Sequence, residues 1–346
     1  MRTFLVVVAG LVLATTSATA QQLKTPQDSP HARVMQTIGL TEITVDYHRP
    51  AVAGRKIWGD LVPYNDVWRA GANLNTTVTF STDVKIGGKP LRAGTYGLHM
   101  LPTARTWTVI FSNMTTAWGS FTYDQKEDAL RVVVTPKPLA THEERLAFRF
   151  DDPAMTKATL TLAWEKLAVP VAIEVDTPNV VMASMRGELR GNAGYTWQAW
   201  NQAASYWLKN GGNLDEAIKM SDRSIQQNPT YANSMTRADL LDKRGKTAAA
   251  KEARAKAQTL ASEADLNVAA YQLLGAKKLD EAIAAFQAIV TKYPDSWNAR
   301  DSLGEALALK GDKAGAIASY EVALVKVSDA QNKKRIQGVL VRLKAK

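Results

Sequence analysis

The chain has no cysteine. That excludes disulfide staples, thiolate nucleophiles and cysteine-ligated metals. Histidine is scarce, with four residues, His31, His48, His99 and His142. A zinc site needs three or four closely arranged ligands, and no HExxH-like spacing is present. Only a pairing of His48 with His99 across strands, joined by Asp46 or Glu42, offers a metal-site alternative. No serine lies in a G-x-S-x-G elbow, and Gly87-Gly88 lacks the spacing and the following Lys-Ser/Thr of a phosphate loop. Glu143 and Glu144 are adjacent, so in a strand they point to opposite faces and form no glycosidase pair. Asp151-Asp152 precedes Pro153 and reads as a turn. No cofactor is implied, and no later segment is long and apolar enough to span a membrane.

What is present divides the 346 residues into three parts. Arg2, the apolar run Phe4 to Leu13 and Ala18-Thr19-Ala20 form a secretory signal, with the mature chain starting at Gln21. The mature protein is then expected in the periplasm or outside the cell. Residues 21–190 carry nineteen basic against seventeen acidic residues, and residues 191–346 carry twenty-three against sixteen. The positive excess therefore lies in the C-terminal part. Its lysines are scattered along helices instead of massed in one stripe, which together with export argues against nucleic acid.

The C-terminal part repeats. Ala217, Ala250, Ala282 and Ala316 align four helix pairs at spacings of 33, 32 and 34 residues. Gly212, Gly245 and Gly311 mark inter-helix turns, and Pro229 and Pro294 follow second helices. Ser205, Ala270 and Gly304 are the small residues of first helices. The region 197–330 resembles the tetratricopeptide repeat family, with 331–346 as a capping helix. Its expected architecture is an α-helical solenoid whose groove, lined by Asn201, Tyr206, Asn233, Arg237, Asn267, Tyr271, Asn298 and Arg300, docks a protein or peptide of the envelope. Trp197, Trp200, Tyr206 and Trp207 read as packing of the first helix or a joint between domains.

Residues 21–30 read as a mobile leader. From 36 to 176, period-2 segments appear at 42–47, 76–80, 95–101, 106–111, 130–135, 144–150, 158–164 and 168–176. They predict an antiparallel β-sandwich or jelly-roll-like domain over 21–190. The connection 47–75 is long, and long connections often carry function. It places Tyr47, Tyr64 and Trp68 beside Arg49, Arg55, Arg69 and Asn73, a set suited to a small anionic or peptide group. The alternative is an ordered loop whose arginines pair with Asp60 and Asp66.

The stretches SPHARVMQTIGLTEITVDYHRP, GRKIWGDLVPYNDVWRAGAN, IGGKPLRAGTYGLHMLP, WTVIFSNMTTAWGSFTYD and RVVVTPKP cover most of 29–175. They resemble the secreted bacterial family known as domain of unknown function 2911. Tyr47, Arg49, Pro50, Gly54, Arg55, Gly59, Trp68, Arg69, Gly71, Ala72 and Asn73 match its pattern. His48 stands where the family has a small polar residue, and His99 where it has a non-histidine, which weakens any histidine-based family mechanism. The resemblance implies export and, in some members, helical repeats behind the domain, with no established activity. The expected function is an envelope binding or scaffold protein without catalysis. The rival is a periplasmic hydrolase or carbohydrate-processing enzyme.

Overall fold

The computed structural model describes residues 25–345. The signal segment 1–20 lies outside the described residues. Two compact units divide between Thr177 and Pro178.

The first unit holds two antiparallel sheets. One has six strands in the order β1 (His31–Ile38), β2 (Thr41–His48), β3 (Thr77–Phe80), β6 (Gly94–Pro102), β7 (Trp107–Ser112) and β8 (Asp128–Val134). The other has the order β5 (Lys89–Leu91), β4 (Val84–Ile86), β10 (Lys157–Glu174) and β9 (Lys137–Asp151). The strands of the larger sheet follow one another in an up-and-down order, interrupted by the β4–β5 hairpin. Gly87 and Gly88 close that hairpin with φ of 54° and 78°, the left-handed pair that a two-residue turn requires. The segments 158–164 and 168–176 are joined in one strand, broken by an irregularity at Glu165 (φ 57°).

Alternation assigns the faces. Ile43, Val45 and Tyr47 of β2 are buried together with Val78, Phe80, Leu98, Met100, Val109 and Phe111. Leu146, Phe148, Leu160, Leu162, Trp164 and Val171 supply the buried face of the smaller sheet. By register, the other face of the larger sheet carries Asp46, His48, Thr77, Gly97, His99, Ser112 and Arg131.

The long connection has no regular element. It buries Val52, Ile57, Val62 and Ala70, and Trp68 exchanges two backbone hydrogen bonds with Met100, each 2.8 Å. Trp58 and Trp68 meet Trp164 at ring distances of 5.7 and 5.9 Å, and Trp58 meets Trp107 at 5.0 Å. Four indoles thus fasten the segment to the strands. Each such aromatic pair adds about 1 kcal/mol beyond its buried area.

The second unit is helical. α1 (Thr177–Glu188) leads into four hairpins: α2 (Trp197–Asn210) with α3 (Leu214–Gln227), α4 (Tyr231–Lys243) with α5 (Thr247–Leu260), α6 (Glu263–Gly275) with α7 (Leu279–Lys292), and α8 (Trp297–Lys310) with α9 (Lys313–Lys326). α10 (Ala330–Ala345) follows and buries Ile336 and Leu340 against Tyr320 and Ala323. Ala217, Ala250, Ala282 and Ala316 are all fully buried, as tight helix crossings demand. Ala270 and Ala238 are too, the latter completing the first-helix series at Ser205, Ala270 and Gly304. Trp207 is fully buried, with Met182 and Leu189 packed in the same cluster. Residues 178–190, expected with the strands, therefore belong to the helical unit.

The stack is not uniform. α3 packs on α4 and α7 on α8, while α5 and α6 make almost no contact. α2 packs on α4 and α6 on α8, but α4 does not pack in this way on α6. The apolar clusters show the same division, one spanning 182–240 and others beginning at 270. α5 buries only Ala250 and Ala257, so it offers α6 little apolar surface. A continuous groove across all four repeats, as expected from the sequence, is thereby interrupted at 261–262.

Candidate functional site

The seven residues singled out in the long connection separate into different environments. Tyr47 faces the core, where its hydroxyl accepts the Phe148 N–H at 3.1 Å and its ring meets Phe148 edge-on at 4.9 Å. Trp68 stacks on Trp164 within the tryptophan group. These two hold the fold. Tyr64 is 42% exposed and lies over Gly59, whose φ of 81° leaves room for the ring only because no Cβ is present.

Arg49, Arg55 and Asn73 come together with residues the sequence reading did not select. Arg49 Nε donates to Leu146 O at 2.9 Å, and Arg55 donates to Val52 O and Ala51 O at 3.1 and 2.5 Å. Asn73 Nδ2 donates to Gln27 Oε1 and Ser29 O. Arg145 Nη1 donates to Asp28 O at 2.9 Å and Arg49 O at 3.3 Å. Arg55, Asn73, Arg145, Ala51, Ala53 and residues 26–30 line an open cavity of about 1120 Å³. Residues 26–30 of the segment expected to be a mobile leader are thus seated there, with hydrogen bonds at Gln27, Asp28 and Ser29, while 21–24 lie outside the described residues. The expected ion pairs with Asp60 and Asp66 are not formed. Among the described residues, no carboxylate salt-bridges Arg49, Arg55, Arg69 or Arg145. Carbonyl oxygens orient the guanidinium groups of Arg49, Arg55 and Arg145 but leave their charge unneutralised. Asp28 is the acidic residue of the cavity lining. Arg145 had a readable signal. It alternates with inward Leu146 and Phe148, so it faces away from the core.

Arg69 lies instead over the other face of the six-stranded sheet. Its guanidinium carbon sits 5.8 Å from the Trp118 ring centroid, and its buried Nε has no partner. Burial lowers its pKa. Nearby, burial lowers the pKa of His48, with the charges of His31 and Arg69 adding to the effect, and His48 Nδ1 is also unpartnered. His48 is close to His31, at 5.3 Å between rings, and His31 Nε2 meets Asp46 at 2.6 Å. His48 and His99 do not share a ligand set. Among the described residues no group of three or more His, Asp or Glu is arranged to hold a metal.

The connection between β7 and β8 covers this face. Asn75 Nδ2 donates to Met114 O at 3.2 Å, and Ser120 Oγ is 2.9 Å from His99 Nδ1. His99 is 2% exposed, and burial pushes its pKa down to about 4 against a small upward pull from Asp128. Tyr123, ring to ring with His99 at 5.5 Å, donates to Asp128 Oδ2 at 2.7 Å. Arg131 donates to both Tyr123 Oη and Asp128 Oδ2. Burial, then the Asp128 hydrogen bond, pushes Tyr123 up to about 12. Trp118 and Phe121 stack on each other at 5.9 Å while 64% and 81% exposed.

In the helical unit, Asn233 is fully buried as a cap. Its side chain accepts from Thr230 N and donates to Ser224 Oγ and Asn228 O. Arg237 pairs with Asp222 at 2.5 Å, beside a cavity of about 390 Å³ that Ile225, Ala249 and Lys256 also line. Tyr206 packs on Trp207 at 6.3 Å. Tyr271 donates to Glu305 at 2.7 Å and lies edge-on to Phe286. Asn298 donates to Glu263 at 3.5 Å. Asn201 Oδ1, Asn267 Oδ1 and Arg300 Nε are buried without a partner. Asn201 and Arg300 lie four residues before Ser205 and Gly304 in their helices, and Asn267 lies three before Ala270. Asn233 and Arg237 thus serve the repeat itself, while these three leave polar capacity unused.

An antiparallel two-sheet domain followed by a helical-repeat array defines the class of protein. Residues 29–173 match the family described as Protein of unknown function (DUF2911). Residues 263–296 match the tetratricopeptide repeat. The chain has an N-terminal domain of the former family followed by tetratricopeptide-like repeats. Among solved structures, a crystal structure of MamA is 16% identical and covers 46% of this chain and 91% of its own, with a TM-score of 0.27. MamA 41-end from Desulfovibrio magneticus RS-1 is 15% identical, covering 45% and 97%, with a TM-score of 0.24. YrrB, described as a TPR protein with an unusual peptide-binding site, is 16% identical, covering 46% and 84%, with a TM-score of 0.27. No curated protein matches the chain. Among the described residues no helix is long and apolar enough to cross a membrane.

Proposed function

We propose that this protein is an exported binding protein of the cell envelope. Its β domain holds a small anionic or peptide group, and its helical repeats dock a protein partner. The observation that carries the reading is the cavity bordered by Arg55, Arg145 and Asn73, whose arginines are fixed by carbonyl oxygens and salt-bridged by no carboxylate among the described residues. A fork held in place before the ligand arrives loses less freedom on binding. The hydrogen bonds of Asn73 to Gln27 and Ser29 of the chain itself support a wall suited to peptide groups. In the array, the half-buried Asn201, Asn267 and Arg300 of the first helices offer amide and guanidinium groups of the kind that suit an extended peptide.

Calorimetric titration of the mature chain with inorganic phosphate and with a Glu-Glu dipeptide tests the cavity. Binding is expected to weaken roughly tenfold or more in Arg55→Gln/Arg145→Gln, because a charge-assisted hydrogen bond contributes about 1.5–3 kcal/mol. Equal binding by wild type and variant contradicts the assignment.

A further inference from the structure

The outer face of the six-stranded sheet contains a feature that the binding reading does not use. Ser120 and His99 are hydrogen-bonded over 21 residues of sequence, with Oγ and Nδ1 2.9 Å apart. His99 stands on β6, a central strand, so its ring is carried by rigid structure. Ser120 follows Gly119, whose φ of 77° forms a left-handed turn that presents the serine beside the imidazole. A Cβ at Gly119 would meet the Phe121 ring at 2.8 Å and Arg69 Nη1 at 3.1 Å. The Arg69 guanidinium is therefore held one residue from the serine, and it salt-bridges no carboxylate among the described residues. Trp118 and Phe121 flank Ser120 in sequence and are exposed as a stacked pair.

We propose that Ser120 and His99 form a nucleophilic dyad that hydrolyses esters with an apolar or aromatic acyl group. With the imidazole proton on Nε2, Nδ1 accepts the Ser120 hydroxyl proton as Oγ bonds to the ester carbonyl carbon. The oxyanion forms beside Arg69, which supplies the positive charge that an acyl-transfer transition state requires. The ester C–O bond breaks and the leaving alkoxide takes the proton from Nδ1. Water then attacks the acyl-serine, gives its proton to Nδ1, and Ser120 recovers that proton as the acid departs. Burial keeps His99 neutral near pH 7, so Nδ1 is free to accept when the ester arrives. Trp118 and Phe121 provide the surface for the acyl group.

The site differs from a Ser-His-Asp triad in that the serine contacts Nδ1 and no carboxylate hydrogen-bonds the imidazole. Carboxylate-free dyads depend on a fixed ring, which β6 and the Tyr123 contact supply. The mature full-length protein incubated with a fluorophosphonate is expected to gain one adduct, mapped by mass spectrometry to Ser120. Ser120→Ala, a change at a half-buried position of the β7–β8 connection, should abolish it. His99→Gln should slow it roughly a hundredfold, the usual scale of general-base assistance. The same order should hold for p-nitrophenyl butyrate hydrolysis. An unchanged mass, an adduct elsewhere, or equal labelling of folded His99→Gln overturns the proposal. If His99→Gln does not fold, the position of the wild-type adduct alone decides.

Discussion

His99 is enclosed against Ser120 and Tyr123, and its environment has a thermodynamic signature. Its pKa is about 4 in the folded protein, against 6.5 for the free side chain. Between those values the unfolded chain binds a proton that the native state refuses. Stability is therefore complete above pH 6.5 and falls as the pH drops towards 4. The loss amounts to about 3 kcal/mol, at 1.36 kcal/mol for each pKa unit. Asp128 pulls in the opposite direction, and Tyr123 and Arg131 face the same enclosure. Urea unfolding at pH 7.5 and 4.5 should show this loss in the wild type and a smaller loss in His99→Gln. Equal losses would contradict it. At this scale the sequence was ambiguous in a specific way. An aromatic beside an arginine reads equally as a pocket or a core. Alternation resolves Tyr47, which shares parity with buried Ile43 and Val45, and the same parity sends His48 to the other face. Nothing local in the sequence brings Ser120 to His99, because that pairing depends on how the β7–β8 connection folds back.

Helix hairpins were legible because a crossing alanine and a turn glycine recur at fixed spacing. The turn between α6 and α7 departs from that rule. Gly212, Gly245 and Gly311 have positive φ, but the equivalent position is Lys277 at φ 63°. A side chain in the left-handed region costs roughly 1–2 kcal/mol, so Lys277→Gly should raise stability by about 1 kcal/mol. Thermal unfolding measures this, and a lowered midpoint would contradict it. Strand β1 escaped the period-2 reading because HARVMQTI alternates between exposed and intermediate positions on an edge strand. Of its apolar residues only Ile38, at the end of the strand, is fully buried. α1 escaped because it follows the last strand after a two-residue connection and packs with the array through Met182.

For the whole molecule, the same alanine-rich sequence that reads as a good repeat leaves α5 too small to bind α6 firmly. The array should therefore open in two steps, α2–α5 apart from α6–α10. Native-state hydrogen exchange is expected to give two protection plateaus that divide near residue 261. One shared plateau would contradict the break. Period and composition revealed the number of units but not their packing, since stacking strength depends on side-chain volume at each joint. The most direct test of the proposed docking role is site-specific photo-crosslinking of the full chain in growing cells. A photoreactive residue at Asn267 or Arg300 should capture the same polypeptide, while one at exposed Lys219 or Ala284 on second helices should capture none. Equal capture from both sets of positions, or none from Asn267 and Arg300, would contradict the account of the array as a partner-binding surface.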